Sequence, residues 1–77
     1  MTAAFVLLQL EKGVGGSKVH DALHAIAGVK TVHFLAGPTD GIVFVEVADQ
    51  SALQQTLGKV RGTSGVASTD TRIVWGG

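Results

Sequence analysis

Residues 26–36 read IAGVKTVHFLA and residues 63–73 read TSGVASTDTRI, and both stretches contain a Gly-Val pair. The glycines of these pairs, Gly28 and Gly65, lie 37 residues apart. The same offset aligns further apolar positions: Val6 with Val43, Leu8 with Val45, Leu10 with Val47, and Leu23 with Val60. The chain therefore contains an internal repeat, and each copy follows the pattern strand, helix, Gly-Val, strand.

The elements of the first half follow from the apolar spacing and the glycine positions. A strand is predicted over residues 3–10, and a helix over residues 17–27 with Ser17 as its N-cap. Three apolar residues share one face of this helix at positions i, i+4 and i+7: Val19, Leu23 and Ile26. Gly28 ends the helix, and a second strand is predicted over residues 29–36.

The second half repeats this order after a turn-forming segment at residues 37–41. A β-branched strand is predicted over residues 42–47, and Asp49 is predicted to cap the second helix. The apolar face of this helix is formed by Leu53, Leu57 and Val60. The segment from Gly62 to Gly65 ends it, and the last strand is predicted over residues 66–75.

The order βαββαβ predicts one α+β domain over residues 1–77, a ferredoxin-like two-layer sandwich with both helices on one sheet face. In this topology the first and third strands are central. Both carry apolar side chains on both faces, whereas the helices cover one face only. The uncovered face is predicted to present Phe5, Leu7, Ile42 and Phe44. Monomers rarely expose such a patch, so we expect a homodimer in which two sheets pack face to face.

The composition of the chain argues against several classes of function. Six Lys and Arg residues balance six Asp and Glu residues, and the basic residues are scattered, which argues against direct nucleic-acid binding. The chain has no cysteine, so disulfides and thiolate zinc sites are excluded. The apolar run at residues 3–8 is too short to cross a membrane, and we expect a cytoplasmic protein. A domain of 77 residues rarely gains more than about 3–5 kcal/mol from its own core, which favours oligomerisation.

Two motifs resemble known sites but are more simply explained by structure. His20 and His24 have the i, i+4 spacing of a helical zinc site, but Asp21 replaces the required Glu and no third ligand follows. We therefore predict no metal site. The glycine-rich segment 13–17 precedes a helix but lacks the Lys-Ser/Thr ending of a phosphate-binding loop. It is predicted to be an ordinary turn, and no cofactor is expected.

Two further segments could bind a small polar ligand. The loop formed by Gly37, Pro38, Thr39, Asp40 and Gly41 can offer backbone N–H groups to a carboxylate and Asp40 to an ammonium. In the last strand, alternation places Thr69 and Thr71 on one side and Asp70 and Arg72 on the other. On spacing alone, the loop at residues 37–41 is predicted to be an ordinary turn, and the last strand an ordinary edge strand.

The sequence resembles the ligand-binding domain of the Lrp/AsnC regulators, also called the RAM domain. The resemblance covers nearly the whole chain and rests on AFVLLQLEKG at residues 4–13, on IAGVKTVHFLAG at residues 26–37, and on the Gly-x-x-Asp turn. It continues through the acidic residue before the second helix and SGVASTDTRIV at residues 64–74. We therefore expect a stand-alone member of the family, without the helix-turn-helix domain of the full-length regulators.

The resemblance implies a dimer that assembles into larger oligomers and an amino-acid effector bound between neighbouring subunits. It assigns effector contacts to the segment from Gly37 to Gly41 and to Thr69 and Thr71. Loops of this family usually carry an aromatic or polar residue just before the Asp and a bulky residue after it, whereas here Thr39 precedes Asp40 and Gly41 follows it. The implied function is non-enzymatic amino-acid binding that modulates transcription through full-length Lrp/AsnC partners.

Two alternatives stay open. One is a small dimeric α/β-barrel enzyme that acts on an organic substrate with His33 or Asp40 as the base. No Ser, Cys or carboxylate partner is placed near His33 by the pattern, so no catalytic residue is assigned. The other is an ACT-like regulatory domain, which has the same strand order and is normally attached to an enzyme.

Overall fold

The computed structural model describes residues 1–75, so Gly76 and Gly77 of the predicted domain lie outside the described residues. The elements are β1 (Thr2–Leu10), α1 (Gly16–His24), β2 (Val29–Phe34), β3 (Gly41–Val47), α2 (Gln50–Arg61) and β4 (Val66–Val74). The strands form one antiparallel sheet in the order β2-β3-β1-β4. This confirms the predicted ferredoxin-like order, with β1 and β3 at the centre.

The core lies between the sheet and the two helices. Alternate residues of β1 and β3 point to the helices, and five of them are fully buried: Ala4, Val6, Leu8, Val43 and Val45. The helices contribute the apolar faces that their spacing predicts, with Val19 and Leu23 from α1 and Leu53, Leu57 and Val60 from α2. Burial of these valine and leucine side chains, at about 1.5–3 kcal/mol each, is the main favourable term for folding.

Helix α1 departs from its predicted bounds at both ends. Gly15, not Ser17, is the N-cap, and it has no side chain that could accept a hydrogen bond from the first turn. The helix ends at His24 rather than at residue 27, because the Ile26 N–H donates to the Leu23 carbonyl in a tighter turn. Gly28 then reverses the chain at φ +97°, a conformation that favours glycine.

Helix α2 follows the prediction closely. Asp49 is its N-cap, and the carboxylate Oδ1 accepts a hydrogen bond of 2.9 Å from the Ala52 N–H. Gly62 caps the other end, and Lys59 and Arg61 lie in the last turn, where the helix dipole favours positive charge.

The strand bounds differ from the prediction by one or two residues. β2 ends at Phe34 instead of residue 36, because the Leu35 N–H donates to the Asp40 carbonyl and closes the β2–β3 loop. β1 begins at Thr2, β3 begins at Gly41 and β4 ends at Val74, and each of these differs from the predicted bound by one residue.

Candidate functional site

The sheet face that points away from the helices, called the open face here, has an apolar centre. Phe5 of β1 pairs with Phe44 of β3, and their ring centroids lie 4.9 Å apart. Leu7 pairs with Ile42 in the next row, so the four residues predicted for a dimer interface form one contiguous patch. The Phe5 side chain is 41% exposed in the single chain. Such a patch is typical of a surface that a partner covers.

Polar residues of the two edge strands border this patch. On β2, Thr31 pairs with Phe44 and His33 pairs with Ile42, which places both on the open face. On β4, Arg72 pairs with Phe5 and Asp70 pairs with Leu7. An apolar centre with a polar border is the usual anatomy of a protein interface.

Asp70 and Arg72 form an exposed ion pair on this border, with 2.8 Å between Arg72 Nη2 and Asp70 Oδ2. The hydrogen bond and the positive charge of the guanidinium lower the pKa of Asp70 below its usual value. The same contacts raise the pKa of Arg72. The sequence pattern placed both residues on one side of β4, and their i, i+2 spacing was the signal for the pair.

The β2–β3 loop, residues 35–40, is fastened to the end of β1. Asp40 Oδ2 accepts a hydrogen bond of 2.8 Å from the Leu10 N–H, and the Asp40 N–H donates to the Leu8 carbonyl over 3.0 Å. Gln9 Nε2 donates to the Pro38 carbonyl over 2.6 Å. One carboxylate oxygen of Asp40 therefore holds the loop in place. Sequence reasoning missed the contribution of Gln9, since nothing in the local pattern connects it with Pro38.

Thr69 and Thr71 lie on β4, on the side that faces the helices. Thr69 pairs with Leu8 and Thr71 pairs with Val6, both of which are buried in the core, and the two threonines are half-buried. Since Asp40 is bonded to the other edge of β1, the loop and Thr69 are separated by about two interstrand spacings, or about 10 Å. A single chain does not bring the two predicted groups of ligand contacts side by side.

The histidines are distributed over two regions. The His20 ring packs edge-on against Phe34 with the centroids 6.0 Å apart, and His24 lies 5.5 Å from His20. His33 is exposed on the open face. Among residues 1–75, no three His, Cys, Asp or Glu side chains come together as a metal site would require. Within the same residues, neither helix is long and apolar enough to cross a membrane.

Comparison with known proteins places this fold and loop in a family. Residues 3–76 match the family model of the Lrp/AsnC ligand binding domain. The chain belongs to the Lrp/AsnC ligand-binding domain family. The description of the family is that of a ligand-binding domain.

Solved structures of this family superpose well on the chain. A hypothetical protein from Pyrococcus horikoshii is 31% identical with a TM-score of 0.86, and the match covers 96% of this chain and 89% of that one. The feast or famine regulatory protein of M. tuberculosis, solved as a complex with L-methionine, is 25% identical with a TM-score of 0.82. That match covers 100% of this chain and 52% of the regulator.

A curated relative is an enzyme. The chain is 35% identical over 71 residues to the homocitrate synthase of Sulfurisphaera tokodaii. The match covers 92% of this chain but only 15% of the synthase. The Lrp/AsnC ligand-binding domain therefore resembles a small part of that enzyme.

Proposed function

We propose that the chain is a non-enzymatic, amino-acid-binding regulatory module that oligomerises and modulates transcription through full-length Lrp/AsnC partners. The observation that carries the proposal is the family match over residues 3–76, together with the L-methionine complex of a relative that is 25% identical. An amino acid carries one carboxylate and one ammonium, so its site needs a hydrogen-bond donor group and an anionic group.

The proposed effector site combines the β2–β3 loop of one subunit with Thr69 and Thr71 of a neighbouring subunit. From the segment Gly37 to Gly41 the loop supplies the backbone N–H groups of Gly37 and Thr39 and the carboxylate of Asp40, since Pro38 has no N–H and the Asp40 N–H is bonded to the Leu8 carbonyl. Because β1 separates the loop from the threonines within one chain, an amino acid that contacts both groups requires two subunits. A ligand bound in this way stabilises the assembly, since it binds only the assembled state.

The proposed dimer buries the open face of each subunit against the other. Its apolar centre is the patch formed by Phe5, Leu7, Ile42 and Phe44, and the residues of the edge strands form its border. Phe44→Glu is expected to leave a monomer in analytical ultracentrifugation, because a charge would be buried at the centre. The matched control is Ile73→Glu, which alters an isoleucine that is 50% exposed on the opposite side of the sheet. A Phe44→Glu protein that sediments like the unmodified chain would exclude this dimer.

Thermal unfolding in the presence of each of the twenty amino acids tests the sensor function. An effector at 100 times its Kd adds about 2.7 kcal/mol, which raises the Tm of a domain of this size by roughly 10–20 °C. Asp40→Asn should abolish this shift while its amide oxygen still accepts the Leu10 N–H, so the loop stays in place. Asp40→Ala loses both roles and is the less informative variant. A shift that survives in Asp40→Asn would remove Asp40 from the site.

A second candidate is that the module regulates a biosynthetic enzyme rather than transcription. The observation that favours it is the 35% identity to a 71-residue part of a homocitrate synthase. Sedimentation of the chain mixed with a full-length Lrp/AsnC regulator, with and without the effector, distinguishes the two. A mixed complex with the regulator supports the first candidate, and no mixed complex at saturating effector favours the second.

A further inference from the structure

The β2–β3 loop is joined to β1 through Asp40. The Asp40 N–H donates to the Leu8 carbonyl over 3.0 Å, and Asp40 Oδ2 accepts a hydrogen bond of 2.8 Å from the Leu10 N–H. The Asp40 carbonyl accepts a third bond, 2.8 Å long, from the Leu35 N–H at the start of the loop. All three bonds fix residue 40, and none of them involves the preceding residues 36–39 of the loop.

The Gln9 side chain holds that preceding part of the loop. Its neighbour Leu8 is buried towards the helices, so strand alternation places Gln9 on the open face. From there Gln9 Nε2 donates a hydrogen bond of 2.6 Å to the Pro38 carbonyl. Only the nitrogen of a side-chain amide can donate to a carbonyl, so this contact determines which way the amide faces. A side chain of β1 therefore fixes the direction in which the Pro38 carbonyl points.

The direction of the Pro38 carbonyl determines the direction of the next N–H group, that of Thr39. The carbonyl and the N–H of one trans peptide group point in opposite directions, and the described residues contain no cis peptide bond. The Thr39 N–H therefore points away from Gln9. Within residues 1–75 it donates no hydrogen bond. Gln9 thus keeps an unused backbone donor in one orientation.

An acidic acceptor follows this donor directly in the chain. One oxygen of the Asp40 carboxylate, Oδ2, is bonded to the Leu10 N–H. The other, Oδ1, accepts no hydrogen bond from the part of the chain that the structure describes. Residues 39 and 40 therefore present one N–H donor and one carboxylate oxygen, which match the carboxylate and the ammonium of an amino acid.

We infer that Gln9 is a positioning residue for the carboxylate of the amino-acid ligand, and that it acts by orienting the Thr39 N–H without touching the ligand. The inference rests on the proposed function, because it concerns the same loop. Without Gln9 the peptide group between residues 38 and 39 can rotate, and the Thr39 N–H takes the binding orientation for only part of the time. The apparent affinity then falls in proportion to the population of that orientation. A donor that is fixed in advance avoids this loss.

The orientation of the Thr39 N–H is tested first, in the ligand-free chain. Gln9→Met keeps the length of the side chain but removes the donor, and the N–H residual dipolar coupling of Thr39 should then change. The couplings of Leu35 and Asp40 should stay the same, because their hydrogen bonds do not involve Gln9. An unchanged Thr39 coupling in Gln9→Met would overturn the inference.

The matched control is Gln54→Met, which alters an exposed glutamine of α2 whose side chain forms no hydrogen bond within residues 1–75. It should leave the Thr39 coupling unchanged. Gln9 is also exposed, and circular dichroism and sedimentation verify that both variants fold and assemble like the unmodified chain.

Isothermal titration calorimetry with L-methionine, the amino acid bound in the M. tuberculosis relative, tests the consequence for binding. Gln9→Met should weaken methionine binding about tenfold, as expected if the binding orientation falls to about a tenth of the population. Gln54→Met should bind methionine like the unmodified chain. L-Methioninamide, which lacks the carboxylate, should bind more weakly, and Gln9→Met should not weaken it further. Equal weakening of both ligands would overturn the role of Gln9 in carboxylate recognition.

The two measurements separate this inference from the proposed function. A changed Thr39 coupling in a chain that binds no methionine would contradict the proposed function for this amino acid, and with it the carboxylate contact, but not the orienting effect of Gln9. Methionine binding that is unaffected by Gln9→Met would support the proposed function and overturn the inference.

Discussion

The two halves of the molecule have the same arrangement of strands and helix but differ in the contacts that hold their helices in place. The N-cap of helix α2 is Asp49, whose side chain accepts a hydrogen bond from the Ala52 N–H, whereas the N-cap of α1 is Gly15, which has no side chain to accept one. At one repeat position α1 buries Val19 and α2 buries Thr56, whose hydroxyl bonds to the turn. The shared features define the fold, and the differing ones hold each helix in place by different contacts.

The features that are shared most closely are the glycines before β2 and β4. Gly28 has φ +97° and Gly65 has φ +96°. In both halves a Cβ atom would collide with the helix residue at the same repeat position, Thr56 for Gly28 and Val19 for Gly65. Positive φ and close helix packing therefore explain why glycine occupies both positions.

Alanine at these glycines should have the largest effect. Gly28→Ala combines an unfavourable positive φ with overpacking at 2.7 Å, and we expect a loss of about 2–5 kcal/mol in the free energy of unfolding. Gly65→Ala should cost less, because its closest approach is 2.9 Å to a valine methyl group. Urea unfolding at fixed protein concentration measures both.

Gly13→Ala is the control for these substitutions. Gly13 has φ +78°, but a Cβ atom there would meet no atom within 4 Å. The Gly13→Ala variant should therefore lose only about 1–2 kcal/mol in the free energy of unfolding, which is the cost of backbone strain at positive φ. Equal losses for Gly13→Ala and Gly28→Ala would mean that close packing against α2 adds nothing to the cost at Gly28. The explanation that helix packing requires glycine at both equivalent turns would then be wrong.

Thr56→Val gives the second half the residue type that the first half has at the same repeat position, Val19. The variant keeps the side-chain volume but leaves the Ala27 carbonyl without its 3.2 Å hydrogen bond. We expect a loss of about 1–2 kcal/mol, measured by thermal and urea unfolding. A neutral result would mean that the two halves are interchangeable at this position, and that the hydroxyl does not contribute to stability.

Much of the fold could be predicted because the repeat supplied two observations of each element. Strand alternation correctly placed Phe5 and Phe44 on the open face, and apolar spacing identified both helices. The end of α1 was not predictable from apolar spacing, because Ile26 continues the pattern and packs against the core although the helix has already ended.

The candidate sites were less predictable than the fold, because they depend on contacts between distant residues. Asp40 was recognised as a ligand-binding candidate, but its hydrogen bond to Leu10 joins residues that are 30 positions apart. The hydrogen bond between Gln9 and Pro38 likewise joins residues that are 29 positions apart. No local pattern indicates such a pair.

Substitutions at the N-caps test the difference between α1 and α2. Asp49→Ala removes the acceptor for the Ala52 N–H and should cost about 1 kcal/mol. The reciprocal change, Gly15→Asp, adds a capping side chain where a Cβ atom has open space and should stabilise the domain by a few tenths of a kcal/mol. Urea unfolding at fixed protein concentration checks both signs. A gain from Asp49→Ala or a loss from Gly15→Asp would contradict the view that α1 is the less securely fixed helix.

The smallest and most specific difference between the two halves lies in their edge strands, β2 and β4. The repeat positions of Asp70 and Arg72 on β4 correspond to His33 and Leu35 in the first half, which cannot form the same ion pair. Because Arg72 lowers the pKa of Asp70 in the folded chain, the pair stabilises the fold above the ordinary carboxyl pKa of about 4. This contribution is lost as the pH falls through the lowered pKa.

Arg72→Gln tests that pH dependence. In the variant the pKa of Asp70 should rise towards the usual carboxyl value, which a ¹³C NMR titration of the carboxyl carbon measures directly. The unfolding free energies of the variant and the unmodified chain should differ slightly above about pH 4 and converge as the pH falls through the lowered pKa of Asp70. The difference is small because both side chains are exposed and solvent screens the pair. A constant difference across the whole pH range would instead indicate that Arg72 acts through packing against Phe5, its neighbour on the open face.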